Sequence, residues 1–115
     1  MMVFRNFLIG LSIIAIILLA LGCKQQEPES VMNERDQLIN ICIDACQQAL
    51  NEGQDLSVGP CLLDPMPNNE WVCDIAHKPR QDIDNKRKNQ CNAWHNKTAK
   101  HFIELTPECE FITVY

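Results

Sequence analysis

The stretch "NICIDACQQALNEG", residues 40–53, decides the fold. Its apolar residues recur at helical rather than strand spacing, and the pattern extends back to Val31. Val31, Leu38, Cys42, Ala45 and Ala49 follow one stripe, and Ile39, Ile43, Cys46 and Leu50 follow the adjacent one. Ser30 is placed to cap the start, and Glu34 and Asp36 lie where the helix dipole favours acids. Gly53 suits the left-handed residue just past the end. The spacing therefore predicts a helix over 31–52. Cys42 and Cys46, four apart, share a face of it, so each is expected to reach a different neighbouring segment.

Outward from the helix the pattern changes. "CLLD" (61–64) and "EWVCDIA" (70–76) read as strands joined by the "PMPNN" turn. In the second, Trp71, Cys73 and Ile75 should face one side and Val72, Asp74 and Ala76 the other. "HKPRQDIDNKRKNQC" (77–91) reads as a polar loop, and "NAWHNKTAK" (92–100) as a short helix or a turn. "HFIELT" (101–106) and "CEFITVY" (109–115) predict a C-terminal hairpin around Pro107 and Glu108. The expected fold class is α+β: one long helix packed on a small antiparallel sheet and stabilised by disulfides. The C-x3-C helix resembles that of cysteine-stabilised αβ scaffolds, where such a helix is stapled to a sheet. Their usual C-x-C partner strand is absent, so no residue role carries over.

Before the helix, Arg5 is the only charge ahead of Lys24, and "FLIGLSIIAIILLALG" (7–22) is almost wholly apolar. A positive start, an apolar block and a small-residue end form a secretory signal pattern. The block ends Ala20-Leu21-Gly22-Cys23, which resembles the lipobox of lipoprotein signal peptides with its first two residues exchanged. The resemblance implies cleavage before Cys23 and lipid attachment to it. The alternative is an uncleaved helix, a permanent anchor. Both readings leave Arg5 inside and everything after Lys24 outside. The expected organisation is a signal or anchor over 1–22, a tether over 23–30 and a cysteine-rich extracytoplasmic domain over 31–115.

Cysteine parity supports this placement. The chain has 7 cysteines. With Cys23 lipidated, Cys42, Cys46, Cys61, Cys73, Cys91 and Cys109 remain, enough for three bridges whose connectivity sequence cannot choose. An exported domain this small needs covalent staples, because its core alone supplies little net stability. The wide spacings and the lack of paired knuckles argue against a cysteine-ligated zinc.

Charge is uneven: acids dominate from Glu27 to Asp74, and bases from Lys78 to Lys100. Such asymmetry suits a bipolar surface, while the net charge of −5 disfavours nucleic acid as a partner. His77 stands beside Asp74, Asp82 and Asp84 and is a candidate base with a choice of orienting acids, though Ser57 sits in no recognisable nucleophile motif. Asp82 and Asp84 offer oxygen ligands at alternating positions, as calcium loops do, without the glycine and distant glutamate of an EF-hand. Asn96-Lys97-Thr98 is a glycosylation sequon, and Trp94 is a candidate contact residue. "GPCLLDPMPNNEWVCDIAHKPRQDIDN" (59–85) resembles small, uncharacterised cysteine-rich exported proteins of archaea. That resemblance implies an archaeal source and transfers no functional residue.

The functional expectation is a non-catalytic, membrane-anchored extracytoplasmic domain that binds a protein or surface-polymer partner. One alternative is a calcium- or ligand-binding module centred on Asp82 and Asp84. A second is a small hydrolase or redox protein using His77 or a labile cysteine pair.

Overall fold

The computed structural model describes residues 32–115. The expected signal or anchor, the tether, Cys23, the Ser30 cap and Val31 lie outside the described residues. Helix α1 spans Glu34–Asn51, three residues shorter at its start than the spacing predicts. Asn33 supplies the cap there: its side chain accepts the Asp36 N–H, and the Asp36 carboxylate accepts from the Asn33 amide. At the other end Gly53 takes φ +79°. Its N–H bonds to the Leu50 carbonyl and that of Gln54 to the Ala49 carbonyl, the paired closure that ends many helices.

Strands β1 (Cys61–Leu63), β2 (Trp71–Ile75), β3 (His101–Leu105) and β4 (Phe111–Val114) form one sheet in the order β1-β2-β3-β4. The outer pairs are antiparallel hairpins, at the places the turn residues predict. The central pair, β2 with β3, is parallel. This corrects the expectation of an antiparallel sheet, and the reason is the length of the connection. Parallel pairing needs a crossover of a dozen residues or more, and the chain between Ile75 and His101 provides it. That crossover holds two 3-10 turns, Asp82–Asn85 and Arg87–Asn89, and a single helical turn α2, Asn92–His95.

The sheet has two unlike faces. On the first, Cys73 and Ile75 of β2 and Ile103 and Leu105 of β3 are buried against Leu38, Cys42, Cys46 and Ala49 of α1, with Leu56 and Met66 closing the margins. Ile39 and Ile43 flank this core, while Leu50, 43% exposed, falls outside it. The buried line runs Leu38, Cys42, Cys46 and Ala49, so it takes Cys46 from the second expected stripe, while Ile39 and Ile43 of that stripe border the core. Two disulfides fasten the same interface, Cys42–Cys73 to β2 and Cys46–Cys109 to the β3–β4 turn. The C-x3-C pair thus reaches two separate segments, as its shared helix face predicts. The third bridge, Cys61–Cys91, ties β1 to the crossover on the opposite face. In the chain-entropy picture, closing loops of 30 to 63 residues contributes about 3–4 kcal/mol per bridge. Six bonded cysteines in a domain this small are the pattern that persists in oxidising compartments.

A candidate binding cavity on the second face of the sheet

Strand alternation decides which residues meet on the second face. Val72 and Asp74 of β2 point away from Cys73 and Ile75, as do Phe102 and Glu104 of β3 from Ile103 and Leu105. The parallel register then sets Val72 beside Phe102 and Asp74 beside Glu104. The crossover closes over them and is pinned at several points. Cys61–Cys91 joins it to β1. The Asp64 carboxylate accepts the Asn92 and Ala93 N–H groups at the start of α2, at 2.6 and 3.2 Å. The backbone N–H groups of Lys100 and His101 bond to the Glu70 carbonyl, and the Lys100 ammonium pairs with the Glu70 carboxylate. Ala93 and Ala99 pack beneath with Val72 and Cys91, and Trp94 meets Phe102 edge to face at 4.8 Å.

Between sheet and crossover lies a cavity of about 230 Å³, lined by Val72, Asp74, Arg80, Gln90, Cys91, Trp94, Phe102 and Glu104. Asp74 and Glu104, 9% and 8% exposed, are its two acids. Arg80 Nη1 reaches Glu104 Oε1 at 2.8 Å, and Arg80 Nε donates to Asn85 Oδ1 at 2.8 Å, so the one guanidinium is engaged on both sides. The Glu104 carboxylate holds the Arg80 pKa above its ordinary value. Asp74 is differently placed. One of its oxygens accepts the Ile75 N–H at 3.0 Å, and among the described residues no donor reaches the other. Burial, and then the negative charge of Glu104, push the Asp74 carboxyl up to about 8. At neutral pH it is therefore largely a protonated acid, inside a cavity and beside an ion pair.

The sequence-chosen residues are placed otherwise. Asp84 lies in the wall of the crossover with its side chain fully buried. It accepts the N–H groups of His77 and Gln81, each at 2.9 Å, and its Oδ1 is 2.8 Å from His77 Nδ1. Burial raises this carboxyl, but the Gln81 and His77 bonds outweigh it and the net direction is down. Gly59 makes room for the arrangement: its φ is +68°, and a β-carbon there would stand 2.5 Å from Asp84 Oδ1. Asp84 thus acts as a clamp that ties the crossover to the end of β2. Asp82, two residues earlier, is exposed, so the two acids do not converge.

His77 has an orienting acid, Asp84 rather than Asp74 or Asp82. Ser57 donates to Asp55 instead of to a histidine, and all six described cysteines are in bridges. Asn96 is exposed at the end of α2 and accepts the Thr98 hydroxyl and N–H. The sulfurs of Cys61 and Cys91 gather with the Asp64 carboxylate, but the sulfurs are bonded to each other and Asp64 caps α2.

Sequence reading singled out Asp74 only as a neighbour of His77, and passed over Glu104, Arg80 and Gln90. A signal was present: β2 and β3 each carry one acid on the face opposite the core, where a half-buried strand normally places apolar residues or exposed polar ones. Trp94, the candidate contact residue, does line the cavity. Among the described residues no helix is long and apolar enough to cross a membrane. Compared with protein-family models, curated proteins and solved structures, the chain matches none.

Proposed function

We propose that this protein is a membrane-anchored, extracytoplasmic binding domain, tethered through Cys23 and acting without chemistry of its own. The supporting observation is the contrast built into its sheet. One face is locked to α1 by two disulfides, and the other holds a cavity with a buried acid, Asp74, whose second oxygen no described donor reaches. A rigid scaffold presenting a small polar-and-aromatic hollow is suited to holding a ligand. The disulfide framework supports an exported, oxidising location, and the signal-like start is what would hold the domain at the outer face of the cytoplasmic membrane.

Two measurements test the reading. The intact mass of protein extracted from its native membrane, before and after reduction with thiol alkylation, addresses the anchor. A lipid-bearing chain beginning at Cys23, alkylated at six sites only after reduction, is the expected result. A mass retaining the first 22 residues replaces the lipid with a permanent helix, and a chain recovered lipid-free from the medium overturns anchoring. Thermal melting against a panel of small amines, carboxylates, sugars and divalent metals addresses binding. At least one class should raise the midpoint of the wild type more than that of Trp94→Ala, and a panel without effect overturns the binding role.

A further inference from the structure

We infer that the cavity between Asp74, Glu104, Trp94 and Phe102 holds the primary ammonium head of a small organic cation. The inference rests on the binding-domain reading above and names the ligand class of that cavity. Charge bookkeeping comes first. The lining carries two carboxyls, Asp74 and Glu104, against one guanidinium, Arg80. Arg80 pairs with Glu104 and donates to Asn85, and makes no hydrogen bond to Asp74. With both acids ionised the hollow is one cation short, and the second Asp74 oxygen, open to the cavity and bonded to no donor of the described chain, is where a hydrogen-bonding cation would bind. In its absence a proton on Asp74 balances the charge.

Other ligand classes fit less well. An anion would meet two carboxyls and a single guanidinium already paired with one of them. A bare metal ion would find Arg80 in the lining, and two of the walls are the aromatic side chains Trp94 and Phe102. Aromatic faces attract organic cations, whose charge is spread and partly desolvated, in addition to giving apolar contact. Phe102 is itself backed by Tyr115, stacked at 5.5 Å, so this wall is a small aromatic cluster. The volume of about 230 Å³ is below the roughly 300–1,000 Å³ of drug-sized sites, which limits the guest to a short amine.

The exchange is balanced: the ammonium enters with its protons, and Asp74 gives up its own proton to solvent. The charged groups that face Asp74 are Glu104 from β3, Arg80 from the crossover and Asp84 from the first 3-10 turn. Glu104 and Asp84 favour the proton and Arg80 opposes it. Raising pH therefore favours binding until Asp74 is ionised.

The test is calorimetric titration of the oxidised full-length chain in detergent with n-butylammonium, using 1-butanol and calcium chloride as comparison ligands, in two buffers of different ionisation enthalpy. The expected result is one saturable ammonium site, tightening about tenfold from pH 6 to pH 7 with release of close to one proton at pH 6. Asp74→Asn, checked for folding by its melting curve, should abolish the proton release and weaken binding about tenfold or more. Trp94→Ala should weaken binding severalfold and leave the proton release in place. Because proton release is read on the wild type, the inference is exposed even if Asp74→Asn fails to fold. Equal binding of 1-butanol, ammonium binding without proton release, or calcium binding in place of ammonium would each overturn it. If ammonium fails while another class in the melting panel succeeds, the inference falls and the binding-domain reading stands; if no class succeeds, both fall.

Discussion

The two faces of the sheet solve opposite problems with the same strands. Toward α1, Cys73, Ile75, Ile103 and Leu105 are at most 1% exposed and are backed by two disulfides. Toward the crossover, the alternate residues of the same strands include Asp74 and Glu104, buried nearly as deeply but around a hollow. Dispersion and hydrophobic burial stabilise the first face. The second buries acids at a cost and recovers part of it through the Arg80–Glu104 pair. Small disulfide-stapled domains have little stability to spare. The ligand proposed above sits at the Asp74 oxygen that is open to the cavity.

The comparison can be broken most forcefully on the helix side. Replacing Cys46 and Cys109 by alanine opens the 63-residue loop and should cost about 4 kcal/mol, read as a large drop in the denaturation midpoint. Leu105→Ala deletes fully buried side-chain volume and should cost about 2–5 kcal/mol by the same measurement. A loss under 1 kcal/mol in either would mean that the α1 face is not the stability core.

The crossover side should respond to sterics and to pH. Gly59→Ala drives a β-carbon against Asp84 Oδ1 at a positive φ and should cost about 2 kcal/mol or more, whereas Gly53→Ala, with open space around it, should cost only about 1 kcal/mol. Equal effects would show that Asp84 does not clamp the loop. For Asp74, the folded state retains a proton that the unfolded chain has lost between about pH 4 and pH 8. The stability this contributes is complete below the unfolded value and is lost as pH rises through the folded one. Wild-type stability relative to Asp74→Asn should therefore fall with rising pH, by up to about 1.4 kcal/mol per unit in that window. A flat difference would mean that Asp74 is not held protonated. The smallest effect expected is that of calcium: with the Asp84 carboxylate already accepting three protein hydrogen-bonding groups, the melting midpoint should not move on adding calcium or chelator. A rise with calcium would revive Asp82 and Asp84 as ligands.

Local pattern carried much of this fold. The helix, both hairpins and the faces of Trp71–Ile75 follow from spacing, turn residues and the period-two alternation of strands, all of which act over a few residues. The cavity was not legible in that way. Asp74 and Glu104 are 30 positions apart and become neighbours only because β2 and β3 pair in parallel, and Arg80 reaches them from a segment that reads simply as a polar loop. His77 drew attention because its acids were adjacent in sequence; the partner it has, Asp84, serves to hold a loop.

By itself, then, the sequence determined the helix, the strand segments and the need for disulfides, because each is written in local periodicity, composition or cysteine parity. Tertiary structure alone decided which cysteine meets which, the parallel centre of the sheet, and the meeting of Asp74 with Glu104, Arg80 and Trp94. Those are long-range pairings. They are selected by how a whole chain can bury its apolar surface and close its crossover at once, and no short window of residues encodes that choice.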